Sequence, residues 1–143
     1  MEKYLQQTKS NCIKVVLFGP ESTGKSTLAK ELASHFETDF VEEYAREYLQ
    51  KKYELNNSIC QIDDMLPIAK GQMNLENKAS IKNSIIFCDT DLLTTKVYSD
   101  IYFNHCDPLL KKYALLNHYD LYLLMNIDAV SYTHLTLPTN REV

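Results

Sequence analysis

The chain has 143 residues, enough for one domain with its own core. Hydrophobic residues make up 45% and charged residues 24%, and the net charge of −4 arises from interspersed acids and bases, which gives no footing for a polyanion partner or a membrane surface. The apolar stretches are strand-sized, far short of the ~20 residues of a spanning helix, and Cys12, Cys60, Cys88 and Cys106 form no CxxC pair, so neither a zinc site nor a disulfide framework is indicated and reduced thiols in a cytoplasmic protein are expected.

Residues 1–12 read as a polar lead-in without the apolar core of a signal peptide. "IKVVLF" (13–18) is a β-branched apolar run ending on Gly19, as a buried parallel strand does. From Lys25 the pattern becomes helical, with Leu28, Leu32 and Phe36 on one face beside Ala29 and Ala33. "DFVEEY" (39–44) predicts a second strand that turns acidic at its end. "AREYLQKKY" (45–53) predicts a helix, broken by Asn56, Asn57 and Ser58.

A further helix is predicted over residues 63–82, with Asp63 as its cap and Pro67 confined to its start. "SIIFCD" (84–89) predicts a third strand with a terminal acid, residues 92–103 a helix, and Asp107–Pro108 a cap followed by the first residue of another helix. "DLYLLM" (120–125) predicts a fourth strand. This alternation predicts an α/β domain over residues 13–129, a parallel sheet covered by helices on both faces.

The stretch "GPESTGKS" places Gly19, Gly24, Lys25 and Ser26 at the spacing of a phosphate cradle between a strand and a helix. In such a loop the glycines let the backbone turn and approach closely, Lys25 reaches the β- and γ-phosphates, and the Ser26 hydroxyl ligates Mg²⁺. Asp89, at the end of an apolar strand, is a candidate for the Mg²⁺ shell; Asp91 is a second candidate for a metal or substrate role, and either can instead cap the following helix. In "VEEYAREY", Glu42, Glu43, Arg46 and Glu47 crowd the C-terminal end of the second strand, the edge where open α/β sheets bind ligands. Glu43, Tyr44 and Arg46 are the candidates there for substrate contact, proton acceptance or charge neutralisation; Glu42 and Glu47 read better as a solvated helix start.

Together "GPESTGKSTLAKELASHF", "VEEYAREYL", "IAKGQ" and "FCDTDLLTTKVYSDIYF" resemble the kinase domain of NadR-type proteins, a group of ribosylnicotinamide kinases and small relatives labelled AAA-like ATPases. The resemblance covers residues 14–128. It implies the nucleoside- and nucleotide-kinase type of P-loop fold, with ATP and Mg²⁺ as cofactors and transfer of the γ-phosphate to the 5′-hydroxyl of nicotinamide riboside. By resemblance Gly19, Glu21, Ser22, Thr23, Gly24, Lys25, Ser26 and Thr27 bind ATP. Ser26 and Asp89 hold the metal, and the segment bearing Glu43, Tyr44 and Arg46 faces the riboside together with Asp91. Lys25 is catalytic, and the base is Glu43 or Asp89.

The family pattern continues into an arginine-bearing lid, a further strand and a closing helix, whereas residues 130–143 resemble a translated sequencing adapter. They are set aside as a non-native tail, so His134 takes no catalytic reading, and the 143-residue chain without a lid is expected to be weak or inactive beside its extended parent. Two other functions stay open: a nucleotide-dependent ATPase switch acting on a partner, and a kinase of another nucleoside. No basic stripe or DNA-reading helix supports nucleic-acid binding.

Overall fold

The computed structural model describes residues 2–20 and 24–125. In chain order its elements are α1 (Glu2–Leu5), β1 (Ile13–Phe18), α2 (Lys25–His35), β2 (Phe40–Val41), α3 (Tyr44–Asn56), a 3₁₀ turn (Ile62–Asp64), α4 (Met65–Lys82), β3 (Ile85–Asp89), α5 (Leu92–Phe103), α6 (Pro108–Leu116) and β4 (Leu121–Leu124). The four strands form one parallel sheet in the order β2-β3-β1-β4. A parallel pair cannot be closed by a hairpin, and here each return runs through helix.

The apolar run of β1 after Lys14 (residues 15–18) follows from cover on both faces. Val15 and Leu17 pack with Phe87 against Ala29 and Ala33 of α2. Val16 points the other way and joins Val41, Ile86 and Cys88 against Ala79 of α4. A third cluster lies between helices: Met65, Ile68, Ala69 and Met73 of α4 meet Leu92, Leu110, Tyr113 and Ala114. Leu5 of α1 is fully buried in that cluster, so the polar lead-in supplies a core residue that its composition did not announce. Among the described residues, no helix is long and apolar enough to cross a membrane.

Three boundaries differ from the sequence expectation, each for a local reason. β2 holds only Phe40 and Val41, because the chain already enters α3 at Tyr44. α3 continues to Asn56 and stops where Asn57 turns left-handed at φ +55°, its N–H bonding the Tyr53 carbonyl at 2.8 Å. α4 starts at Met65 rather than after Asp63, since Gln61 and Asp64 form a capping box around the 3₁₀ turn. Pro67 then falls in the first turn of α4, where its missing N–H leaves no bond unmade.

At the N-terminal rim of the sheet, Lys14 and Glu76 form a buried ion pair at 3.0 Å. Glu76 also accepts hydrogen bonds from the Tyr119 hydroxyl at 2.6 Å and the Gln7 amide at 2.9 Å. The opposite rim carries the cradle.

Candidate active site

β1 delivers Gly19 to the sheet's C-terminal edge with φ +142°, and a Cβ there would stand 2.4 Å from the Met125 carbonyl oxygen. Only glycine meets both conditions. Gly24 occupies the cap position of α2 at φ +79°, a left-handed value that disfavours other residues. Having no side chain, it leaves the first-turn amides of α2 without a side-chain cap, as an anion site requires. Glu21, Ser22 and Thr23, expected to complete the cradle, lie outside the described residues. Thr27 is exposed on the first turn of α2.

The strand register sets Asp89 beside Leu17, directly across from the start of the cradle. Asp89 is completely buried. The Lys25 Nζ, itself only 3% exposed, lies 3.1 Å from Asp89 Oδ1 and 3.7 Å from Glu43 Oε1. Ser26 donates its hydroxyl to Asp89 Oδ2. Arg46, on the first turn of α3, reaches Glu43 Oε1 at 2.9 Å and the Ser26 hydroxyl at 3.2 Å, with Asp89 Oδ2 4.0 Å away. Glu43 holds the cap position of α3 but makes no capping bond with its side chain; its carboxylate turns to Lys25 and Arg46 instead. Lys25, Ser26, Glu43, Arg46 and Asp89, distant in sequence, thus meet at one rim.

This donor set fits Mg²⁺. Asp89 Oδ1 is buried, accepts no hydrogen bond among the described residues, and has only the Lys25 ion pair. Magnesium commonly takes one or two carboxylates and a hydroxyl while phosphates and water fill the remaining octahedral positions. A fuller protein cage is not required, and among the described residues no cluster of three or more His, Cys, Asp or Glu offers one.

Beside the cluster opens a cavity of about 340 Å³. Glu43 and Arg46 line it together with apolar Ala45, Leu49, Met65 and Ile68 and polar Cys60, Gln72, Thr90, Thr94, Thr95 and Tyr98. Its size and its mainly apolar wall suit a small organic ligand fixed by a few polar groups.

An AAA domain family model matches residues 14–137. The chain belongs to the AAA domain family. The chain is 32% identical over 114 residues to the trifunctional NAD biosynthesis/regulator protein NadR of Salmonella typhimurium strain LT2 and to that of Escherichia coli strain K12, covering 78% of this chain. It spans about a quarter (27%) of the length of those curated relatives. Among solved structures it is similar to a NadR protein in complex with NR, with a TM-score of 0.69 and 31% identity over 79% of this chain and 33% of that one. A NadR protein in complex with NAD and AMP-PNP matches with a TM-score of 0.68 and 31% identity over 79% of this chain and 34% of that one. At that identity the parallel four-stranded sheet is the P-loop NTPase fold.

Two residues expected at the acceptor are placed elsewhere in this AAA domain. Asp91 is buried as the cap of α5: its Oδ1 accepts from the Thr94 N–H and hydroxyl, both at 3.1 Å, and its Oδ2 from the Tyr122 hydroxyl at 2.9 Å. Burial pushes its carboxyl above the usual range, and those bonds offset the rise only in part. Of the two readings, the capping one is what the contacts of Asp91 display. The Tyr44 ring lies over Gly71 of α4 and does not line the cavity; a Cβ on Gly71 would collide with it. Glu47 pairs with Lys51 at 3.8 Å on the exposed face of α3, as a solvated helix start does.

The AAA domain also carries site residues that the sequence reading passed over. Gln72 is 2% exposed and spans the backbone around Glu43. It sits in the "IAKGQ" motif, which was visible as a motif but showed no partner. Thr90 has φ +96°, a conformation rare for a β-branched residue and costing on the order of 1–3 kcal/mol. Only its place between two acids hinted at it.

Proposed function

We propose that this AAA domain transfers the γ-phosphoryl group of ATP to the 5′-hydroxyl of nicotinamide riboside, forming nicotinamide mononucleotide and ADP. One observation carries the proposal: two cations, a hydroxyl and two carboxylates converge at the end of β1 and β3, with a ligand-sized cavity beside them. The names of the relatives support the substrate, since a NadR protein binds NR and another binds AMP-PNP.

Gly19, Gly24 and the first-turn amides of α2 cradle the phosphates, and Lys25 balances their charge. Mg²⁺, which Ser26 and Asp89 would hold, supplies charge neutralisation on the phosphates. Glu43 faces the cavity and is the better placed of the two candidate bases, since Asp89 is enclosed by Lys25 and Ser26. As the riboside oxygen bonds to phosphorus, the bond to the β–γ bridging oxygen breaks and the hydroxyl proton passes to Glu43. Arg46 stands where charge builds on the transferring group.

The test is chromatographic. The full chain with ATP, Mg²⁺ and nicotinamide riboside should form nicotinamide mononucleotide in amounts equal to ADP, at a low rate. ADP released at one rate with or without riboside, and no mononucleotide, rejects the proposal in favour of the nucleotide switch. Phosphorylation of another nucleoside but not of this one leaves a kinase with a different acceptor.

A further inference from the structure

Three threonines line the cavity, and two of them are already committed. Thr94 donates its hydroxyl to Asp91 Oδ1 at 3.1 Å, and Thr95 donates to the Asp91 carbonyl at 3.5 Å. The third, Thr90, is 3% exposed, and its Oγ1 has no hydrogen-bond partner among the described residues. A buried hydroxyl without a partner is disfavoured, and native proteins rarely keep one. Thr90 also holds a left-handed backbone at φ +96°. Such strain persists only where the surroundings enforce it. They do so here. Its N–H bonds the Leu17 carbonyl at 3.2 Å, Asp89 before it is tied to Lys25 and Ser26, and Asp91 after it is tied to Thr94 and Tyr122.

The geometry points to Thr90 as a specificity-determining residue whose hydroxyl exchanges a hydrogen bond with a secondary hydroxyl of the acceptor's sugar. This assignment rests on the kinase reading of the site. Carboxylates near the reacting centre, such as Glu43, only accept hydrogen bonds, whereas a threonine hydroxyl both donates and accepts. It therefore suits an uncharged sugar alcohol, which does the same. The 5′-hydroxyl belongs to Glu43, which leaves the 2′- or 3′-hydroxyl for Thr90.

The test is calorimetric binding of nicotinamide riboside and its 2′-deoxy and 3′-deoxy analogues to the full chain with AMP-PNP and Mg²⁺, alongside steady-state KM. Thr90→Val keeps the β-branched shape and removes only the hydroxyl. Thr90→Gly also removes the hydroxyl but accepts the left-handed backbone freely, so it covers the case in which the valine variant folds poorly. Both should bind the riboside about tenfold more weakly than wild type, with unchanged AMP-PNP affinity and no loss of melting temperature. Thr90→Ser should stay within about threefold. One deoxy analogue should bind Thr90→Val as well as the riboside does, while the wild type discriminates between them. Equal riboside affinity in wild type and both hydroxyl-free variants overturns the assignment and leaves the kinase reading standing. A wild type that binds no nicotinamide riboside overturns both.

Discussion

Gln72 holds Glu43 in place through the backbone on either side of it: its Nε2 donates to the Glu42 carbonyl at 3.0 Å and its Oε1 accepts the Tyr44 N–H at 2.9 Å. The two bonds fix the turn from β2 into α3 and with it the direction of the Glu43 carboxylate. Gln72→Leu strands both backbone groups, which costs on the order of 1–3 kcal/mol. It should also lower kcat by about tenfold or more, because the base proposed at Glu43 would lose alignment. Urea denaturation and steady-state kinetics check this. A variant that loses stability but keeps kcat would show the clamp to be structural only.

Asp89→Asn removes the buried anion shared by Lys25 and Ser26. Turnover should fall by roughly 10²-fold or more, and the Mg²⁺ concentration for half-maximal rate should rise. The check is rate against Mg²⁺. A magnesium curve that superimposes on the wild type's would remove Asp89 from the metal shell.

A Cβ at Gly71 would stand 2.2 Å from the Tyr44 ring. Gly71→Ala should therefore destabilise the wild type, as overpacking does. With Tyr44→Ala already present the sign should reverse. Alanine then gains its helix preference over glycine, about 1 kcal/mol, without a clash. Thermal melts of the four proteins in the cycle test it, and equal effects of Gly71→Ala in both backgrounds would contradict the packing.

Burial works to raise the Asp64 carboxyl, but hydrogen bonds from Lys52, the Gln61 N–H and the Tyr48 hydroxyl outweigh it and hold the group below the ordinary 3.8. Burial and Asp64 in turn push the Tyr48 hydroxyl up to about 12. With the folded value depressed, the unfolded chain takes up the proton first as pH falls. This stability is complete above the unfolded value near pH 4 and drains away as pH drops through the lower folded value. Asp64→Asn should lower the urea midpoint at pH 7 and narrow its gap to wild type at pH 3. A gap of constant width would speak against the linkage.

Glu76→Gln leaves the buried Lys14 ammonium without its anion. Breaking a buried pair from one side costs about 3–5 kcal/mol. The same change should leave AMP-PNP affinity of the folded protein unaltered, since Glu76 lies at the rim opposite the cradle. A loss below 1 kcal/mol by denaturant titration would show that the pair does not hold the fold together.

The sheet was readable because its signals are local. "IKVVLF" coincides with β1 (Ile13–Phe18), and a β-branched run covered on both faces has few other places to go. Asp107–Pro108 marked the start of α6 for a similarly local reason. The cradle spacing stood out because chemistry fixes the positions of its glycines, lysine and serine. What escaped depends on contacts across the chain. Gln72 meets the backbone around Glu43 only after α4 has packed against α3, and no periodicity in "IAKGQ" encodes that. Asp91 and Asp89, two residues apart, look alike in sequence. The left-handed Thr90 lies between them, and one turns to Lys25 and Ser26 while the other caps α5. Leu5, a single apolar residue in a polar stretch, carries too little pattern to reveal that it is buried.

Because all four strands run the same way, every helix-to-strand joint lies at the far rim from Lys25 and Asp89. The exposed joint at Glu37, where the chain turns left-handed after α2, is therefore a place to attach a dye or to insert a tag. A cysteine placed there would let fluorescence report on nucleotide loading from outside the reaction chamber, without the label competing for the ligand's space.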